Sequence, residues 1–249
     1  GPNHLHGGPE GFQNQVWDSR IEGDAVEFMY FSPDGEAGYP GNVKVVAHYE
    51  WDEDDALALT LTAVSDKATV LNITNHAYFN LDGEGNGNIL DHELQLNASV
   101  YLPTDETLIP LGEPDPVAGT PMDFLDCKKI GSEINADFPA LKYGKGYDNC
   151  WVIDGHEDGD VHLAAVLSDP ETGRMVEIST DQPAAQVYTG NWLEGCPVSK
   201  SGKLYHDYDG VAIECQGMPD APNHDNFPSQ VLRPDDEYRR LIMFDFKTK

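Results

Sequence analysis

Apolar and polar residues alternate at period two in short runs, and turn signals recur between the runs. The alternation is clearest over 26–31, 43–50, 56–63, 69–81, 93–102, 150–153, 162–167, 175–180, 185–188, 210–216 and 241–246. Successive side chains of an extended backbone point to opposite faces, so each run offers one face to a core. Between the runs stand SPDGEAG (32–38), DGEGNG (82–87), DPETG (169–173) and SKSG (199–202), rich in the residues that set turn geometry. The pattern predicts an all-β chain folded as a large antiparallel β-sandwich, with one short helix near 132–141. A chain of 249 residues can bury a sizeable core, and 24 Gly with 17 Pro suit a loop-rich β protein. No repeat or linker divides residues 1–249, which read as a single domain.

Charge narrows the partners. Asp and Glu number 44 against 15 Lys and Arg, a formal net charge of −29. Such a surface repels phosphate backbones and anionic lipid, which argues against nucleic-acid and membrane partners. The carboxylates are dispersed along the chain, as in a solvated acidic surface whose self-repulsion salt relieves. No apolar run approaches the roughly 20 residues that span a bilayer. No signal-peptide pattern opens the chain, so the expected compartment is the cytoplasm. Four widely spaced cysteines, without a CxxC pair, predict neither a zinc ribbon nor a disulfide framework. Reduced, mostly buried thiols are expected.

Some runs carry chemistry on one face. In NITNHAYFNL (72–81), Asn72, Thr74, His76, Tyr78 and Asn80 share a side, opposite Ile73, Asn75, Ala77, Phe79 and Leu81. A solvated strand would more often show Lys, Glu and Thr; this face reads as the floor of a polar cleft. In VAIECQ (211–216), Glu214 lies between Ala212 and Gln216, and in AAQVY Gln186 shares a side with Tyr188. Asp148 follows a Gly-containing turn in GYDNCW. Amides, tyrosines and isolated carboxylates are what polyhydroxylated ligands need, since each buried hydroxyl donates and accepts. Each group also has an ordinary reading: His76 as a satisfied histidine, Glu214 as a strand-surface carboxylate, Asp148 as a turn former. His4 and His6, two residues apart, would share a side of an extended chain and offer a metal edge, with no third ligand at diagnostic spacing.

Together the segments resemble the aldose 1-epimerase family. The similarity runs through NHLHGGPEGF (3–12), SPDGEAGYPG (32–41), NITNHAYFNLDG (72–83), YLPTDETLIPLGE (101–113), GYDNCW (146–151), QPAAQVYTGN (182–191) and ECQGMPDAPNHDNFPSQVLRP (214–234). The resemblance implies a galactose mutarotase-like supersandwich, no cofactor and no metal, and interconversion of the α and β anomers of free hexoses such as galactose or glucose. It implies His76 as general acid and Glu214 as general base. His6 would stand beside the ring oxygen, and Tyr78, Asp148 and Gln186 would hold hydroxyls. The partner it implies is a small aldose sugar, and the protein is expected to be a monomer or homodimer. Family members usually carry a strand-rich stretch before LHGG, with an Asn-Arg pair whose arginine reaches the sugar. The sequence opens at this motif, so the expectation is a sandwich lacking those strands and that arginine. The alternative is a non-catalytic carbohydrate-binding sandwich or an inactive truncated relative.

Overall fold

The computed structural model describes residues 3–248. Two antiparallel sheets face one another. The larger runs, among the described residues, in the order β1 (Asp18–Glu22), β2 (Ala25–Ser32), β3 (Val43–Trp51), β4 (Ala56–Ser65), β17 (Tyr238–Thr248), β13 (Arg174–Thr180), β12 (His162–Ser168), β7 (Glu93–Leu96) and β10 (Lys128–Lys129). The smaller runs β6 (Tyr78–Phe79), β15 (Val211–Gln216), β14 (Ala184–Tyr188), β11 (Asp148–Val152), β8 (Val100–Leu102) and β9 (Asp115–Pro116). A ribbon pairs β16 (Val231–Leu232) with β5 (Thr69–Val70), and α1 (Pro139–Gly144) is a short helix.

Alternation assigns the inner faces. Leu59, Leu61, Leu94, Leu96, Leu167, Val176, Ile178, Ile242 and Phe244 of the larger sheet pack against Tyr101, Trp151, Ala185, Val187, Ile213 and Cys215 of the smaller one. Trp151 is fully buried, and its indole N–H donates to the Met122 carbonyl at 3.0 Å, so the large ring is buried without an orphan donor. The opposite face of the smaller sheet is divided. On one part, Leu102, Cys150, Val152 and Ala184 are covered by Met218, Ala221 and Phe227 from the segment after β15. The remaining part carries the polar residues of the site.

Three local expectations need correction. The 93–102 run is two strands in different sheets, because the chain turns a corner at Asn97–Ser99. There Ser99 donates from its backbone N–H and its hydroxyl to Asp154 Oδ1, at 3.1 and 2.7 Å. The 69–81 run is strand only at its ends, β5 and β6, for a reason given below. The helix lies at Pro139–Gly144, later than 132–141; Pro at its start presets φ, and Lys145 ends it in the left-handed conformation. Of the four cysteines, Cys150 and Cys215 are buried, whereas Cys196 is half-buried and Cys127 exposed. β1 escaped the alternation because DSRIE has all its residues exposed, so neither face needs apolar side chains.

Candidate functional site

Strand register builds the site in two rows. Tyr78 of β6 pairs with Ala212 of β15, Ala212 with Tyr188 of β14, and Tyr188 with Asp148 of β11. In the next row Glu214 pairs with Gln186, and Gln186 with Cys150. Directly paired residues point to the same face, so these side chains project together, and Ala212 leaves room between the two tyrosines. Gln186 Nε2 donates to Asp148 Oδ1 at 2.8 Å, tying the rows diagonally. Asp148 follows Gly146, at φ 138, where a Cβ would stand 2.5 Å from Asn191 Oδ1. The buried Asn191 amide donates to the carbonyls of Gly144 and Tyr147 at 2.7 and 3.0 Å, fixing the turn that delivers Asp148.

His76 reaches the same place by a different route. Continued past β6, the register would set it opposite Glu214, yet 71–77 make no ladder with β15. Side chains replace the backbone bonds. Asn72 donates to the Gly217 carbonyl and accepts from its N–H, at 3.1 and 2.9 Å. Thr74 donates to the Cys215 carbonyl at 2.6 Å. Asn75 donates to Tyr49 Oη at 2.9 Å and accepts from the Ala77 N–H at 3.0 Å. Asn80 donates to the carbonyls of Gly87 and Asp209. The polar residues at 72, 74 and 80 are thus mostly backbone satisfiers, and only His76 and Tyr78 of that predicted face reach the cleft. This widened edge lets the His76 imidazole lean over β15, its Nε2 3.5 Å from Glu214 Oε1.

Rings complete the wall. His6 stands edge-on to His76 with centroids 5.5 Å apart, Tyr78 lies 5.0 Å from His76 on its other side, and Tyr188 is 6.1 Å from Tyr78. His6, His76, Tyr78, Asp148, Gln186 and Glu214 therefore converge from distant parts of the sequence. His4 does not join them: its Nδ1 lies 2.8 Å from Tyr39 Oη, and the left-handed backbone at His6 (φ 55) turns the two histidines apart. Among the described residues, no three His, Cys, Asp or Glu side chains gather as a metal site.

Burial dominates the electrostatics. The Glu214 side chain is 7% exposed and that of His76 32%. Burial, then the nearby Asp148 carboxylate, pushes the Glu214 carboxyl up to about 8. Burial, then the His6 imidazole, holds His76 below the ordinary histidine value. Asp148 is raised by burial, with the Gln186 hydrogen bond and His6 acting against it. Burial favours the neutral form of each group, whereas the 3.5 Å contact between them favours the charged pair.

The arrangement defines a class: an antiparallel β-sandwich with a buried carboxyl–imidazole pair among tyrosines, an amide and a second carboxyl, groups able to bind hydroxyls. The chain belongs to the aldose 1-epimerase family, whose sequence profile matches residues 1–244. It is 41% identical over 245 residues to the galactose mutarotase of Homo sapiens, across 98% of this chain and 69% of that protein. It is 41% identical over 249 residues to the aldose 1-epimerase of Escherichia coli (strain K12), across 99% and 71% of the two chains. The crystal structure of galactose 1-epimerase from Lactobacillus acidophilus NCFM superposes with a TM-score of 0.84 at 34% identity, covering 98% of this chain and 70% of that one. An aldose epimerase homologue from C. elegans gives 0.88 at 28% identity, over 98% and 72%.

Proposed function

We propose that the protein interconverts the α and β anomers of free aldoses, galactose and glucose among them, by acid–base ring opening and closure. The observation that carries this reading is Glu214, buried on its strand with Gln186 opposite on one side and His76 in contact on the other. Glu214 takes the proton of the anomeric hydroxyl while His76 protonates the ring oxygen. The C1–O5 bond breaks, the aldehyde turns about C1–C2, and O5 attacks its other face. The proton on O5 returns to His76 and that on Glu214 to the new anomeric oxygen. Both groups end as they began. His6 stands beside the ring oxygen, and Tyr78, Asp148 and Gln186 hold the remaining hydroxyls.

Burial suits this cycle. Opening the ring moves one proton, in effect, from imidazolium to carboxylate. With ordinary values of 6.5 and 4.5, that transfer opposes the reaction by about 2.7 kcal/mol in water. In the cleft burial raises Glu214 and lowers His76, which reduces that penalty on the ring-open state. A bound sugar hydroxyl donating to Glu214 favours the carboxylate needed to begin, with the proton held on His76, whose Nε2 is 3.5 Å away.

We read residues 1–249 as one domain, a cytoplasmic monomer or homodimer. The net charge of −29 supports a protein with no nucleic-acid or membrane partner. No described helix is long and apolar enough to cross a membrane. Polarimetry on freshly dissolved α-D-galactose tests the activity. Faster decay to the same final rotation is expected. Decay at the buffer's own rate, from folded protein that still binds the sugar, would replace the enzyme with a carbohydrate-binding module.

A further inference from the structure

His6 is held in a conformation that a non-glycine residue resists. Its φ is 55, and Gly7 and Gly8 continue the left-handed run at 76 and 72. For a residue with a Cβ this costs on the order of 1 kcal/mol, so surrounding contacts must impose it. Apolar anchoring at this point is weak, since Leu5 is 71% exposed. The turn closes on His4 instead. Gly8 N–H donates to the Leu5 carbonyl at 2.8 Å, and a Cβ on Gly8 would meet His4 Nε2 at 2.5 Å, so the backbone lies directly against that imidazole.

His4 is fixed from the other side by Tyr39. The two rings stack with centroids 5.5 Å apart and 28° between planes, and His4 Nδ1 is 2.8 Å from the phenol oxygen. Tyr39 stands in the 33–42 loop between β2 and β3, which is braced independently. Its carbonyl accepts from the Gly35 N–H at 2.9 Å, Asp34 accepts from the Gly41 N–H at 2.7 Å and pairs with Lys67, and Asn42 accepts from the Asp34 N–H at 3.0 Å. Beyond His4, Asn3 donates to Thr107 Oγ1 at 3.3 Å, a longer and more exposed tether. A line of contacts thus runs from a braced surface loop through Tyr39 and His4 to His6, and from His6 to His76.

We propose that Tyr39 is a positioning residue of the acid–base site: through His4 it fixes the left-handed turn that sets His6 edge-on to His76. The proposal rests on the epimerase reading for its kinetic consequence, though not for its geometric one. The hydrogen bond and ring stacking of the Tyr39 side chain are to His4 rather than to the groups of the site. Its effect passes through the imidazole of His6, which with Glu214 and Tyr78 makes up the titratable surroundings of His76, while Asp148 acts on Glu214 in turn.

The test is a double-mutant cycle on Tyr39→Phe, which removes the hydroxyl and keeps the stacked ring, and His4→Ala. Loss of one hydrogen bond, worth about 1 kcal/mol, corresponds to a roughly fivefold fall in kcat with KM little changed. The double variant should be little worse than His4→Ala alone, and His4→Asn, which keeps a polar atom near Nδ1, should recover most of the rate. The second readout needs no turnover: imidazole ¹H–¹⁵N spectra should show His76 titrating at higher pH in Tyr39→Phe, because His6 no longer stands beside it. A lowered melting temperature with unchanged kcat and unchanged His76 titration would overturn the proposal. Wild-type protein that fails to accelerate mutarotation while Tyr39→Phe still moves the His76 titration would sink the epimerase reading and leave this one standing.

Discussion

Replacing Glu214 by Gln should remove activity and, at alkaline pH, make the protein more stable. In the native state the carboxyl titrates at about 8 against an ordinary 4.5. Between those values the folded chain holds a proton that the unfolded chain has released. Stability therefore falls as pH rises through that window, and the loss is complete above the native pKa. The gap corresponds to about 5 kcal/mol at full extent, using about 1.4 kcal/mol per unit. The side chain is only 7% exposed, so solvent screening removes little of this. Glutamine keeps the shape and carries no such term. For a chain of this size about 1 kcal/mol moves Tm by about 2–4 °C. Thermal unfolding of both proteins should give matching midpoints near about pH 4.5, parting to a gain of about 10 °C or more for Glu214→Gln near about pH 9. Polarimetry on the same samples should show kcat lower by about 10²–10⁴-fold with modest change in KM. Parallel melting curves across the range would mean that Glu214 is not desolvated, and undiminished turnover would remove it from the chemistry.

Other perturbations follow from the same geometry. His76→Asn should lower kcat by about 10²–10⁴-fold and abolish the pH-rate limb that reports the acid, while circular dichroism stays unchanged. Asp148→Asn removes a charge that helps raise Glu214, so the Glu214 titration should move to lower pH, and KM should rise roughly tenfold through the loss of a charged hydroxyl acceptor. Asn75→Ala deletes the bonds to Tyr49 Oη and the Ala77 N–H; kcat should fall severalfold by loosening His76, against a stability loss of about 1–2 kcal/mol in denaturant titration. With a net charge of −29, raising salt from about 0.1 M to about 1 M shortens the screening length from about 10 to 3 Å and should raise Tm; a flat or falling Tm would show that the surface carboxylates do not repel appreciably.

The sandwich was legible wherever a strand has one wet and one dry face. β3, with alternating burial over Val43–Ala47, is read directly from its apolar spacing. The same logic blurs where both faces are covered. In β15 every residue from Val211 to Cys215 is buried, yet the sheet's outer side is a cleft there, and the one polar interruption, Glu214, is the informative residue. The two-residue strands β9, β10 and β16 are too short for periodicity to register. The ambiguity was deepest at 72–80. Asn and Thr at alternate positions look alike whether they bind a ligand or replace a ladder, because both tasks need short side chains that donate and accept. Nothing in the spacing could show that Asn72 and Thr74 serve the backbone of β15 while His76 serves the cleft.

Those asparagines and the threonine also explain how a histidine can sit over a strand already flanked by a partner. A regular ladder between 72–79 and β15 would bring the backbones to about 4.8 Å and confine His76 to its own pleat. Side-chain bonds from Asn72 and Thr74 hold the segment alongside β15 without that regular pairing, and Asn75 anchors it to Tyr49 in the facing sheet. Backbone satisfaction is retained, and the imidazole gains the reach to meet Glu214. The cost is a short edge: only Val211–Phe79 and Ala212–Tyr78 pair by register. Local stability at this edge should therefore trail that of β14 and β15, and hydrogen exchange is the direct measure. Amides of 73–77 should exchange faster than those of 185–187 and 212–215, with sugar binding slowing them selectively if the segment closes on its ligand. Equal protection throughout would mean that the side-chain bonds are as cooperative as a ladder, and that His76 is held by the sheet itself.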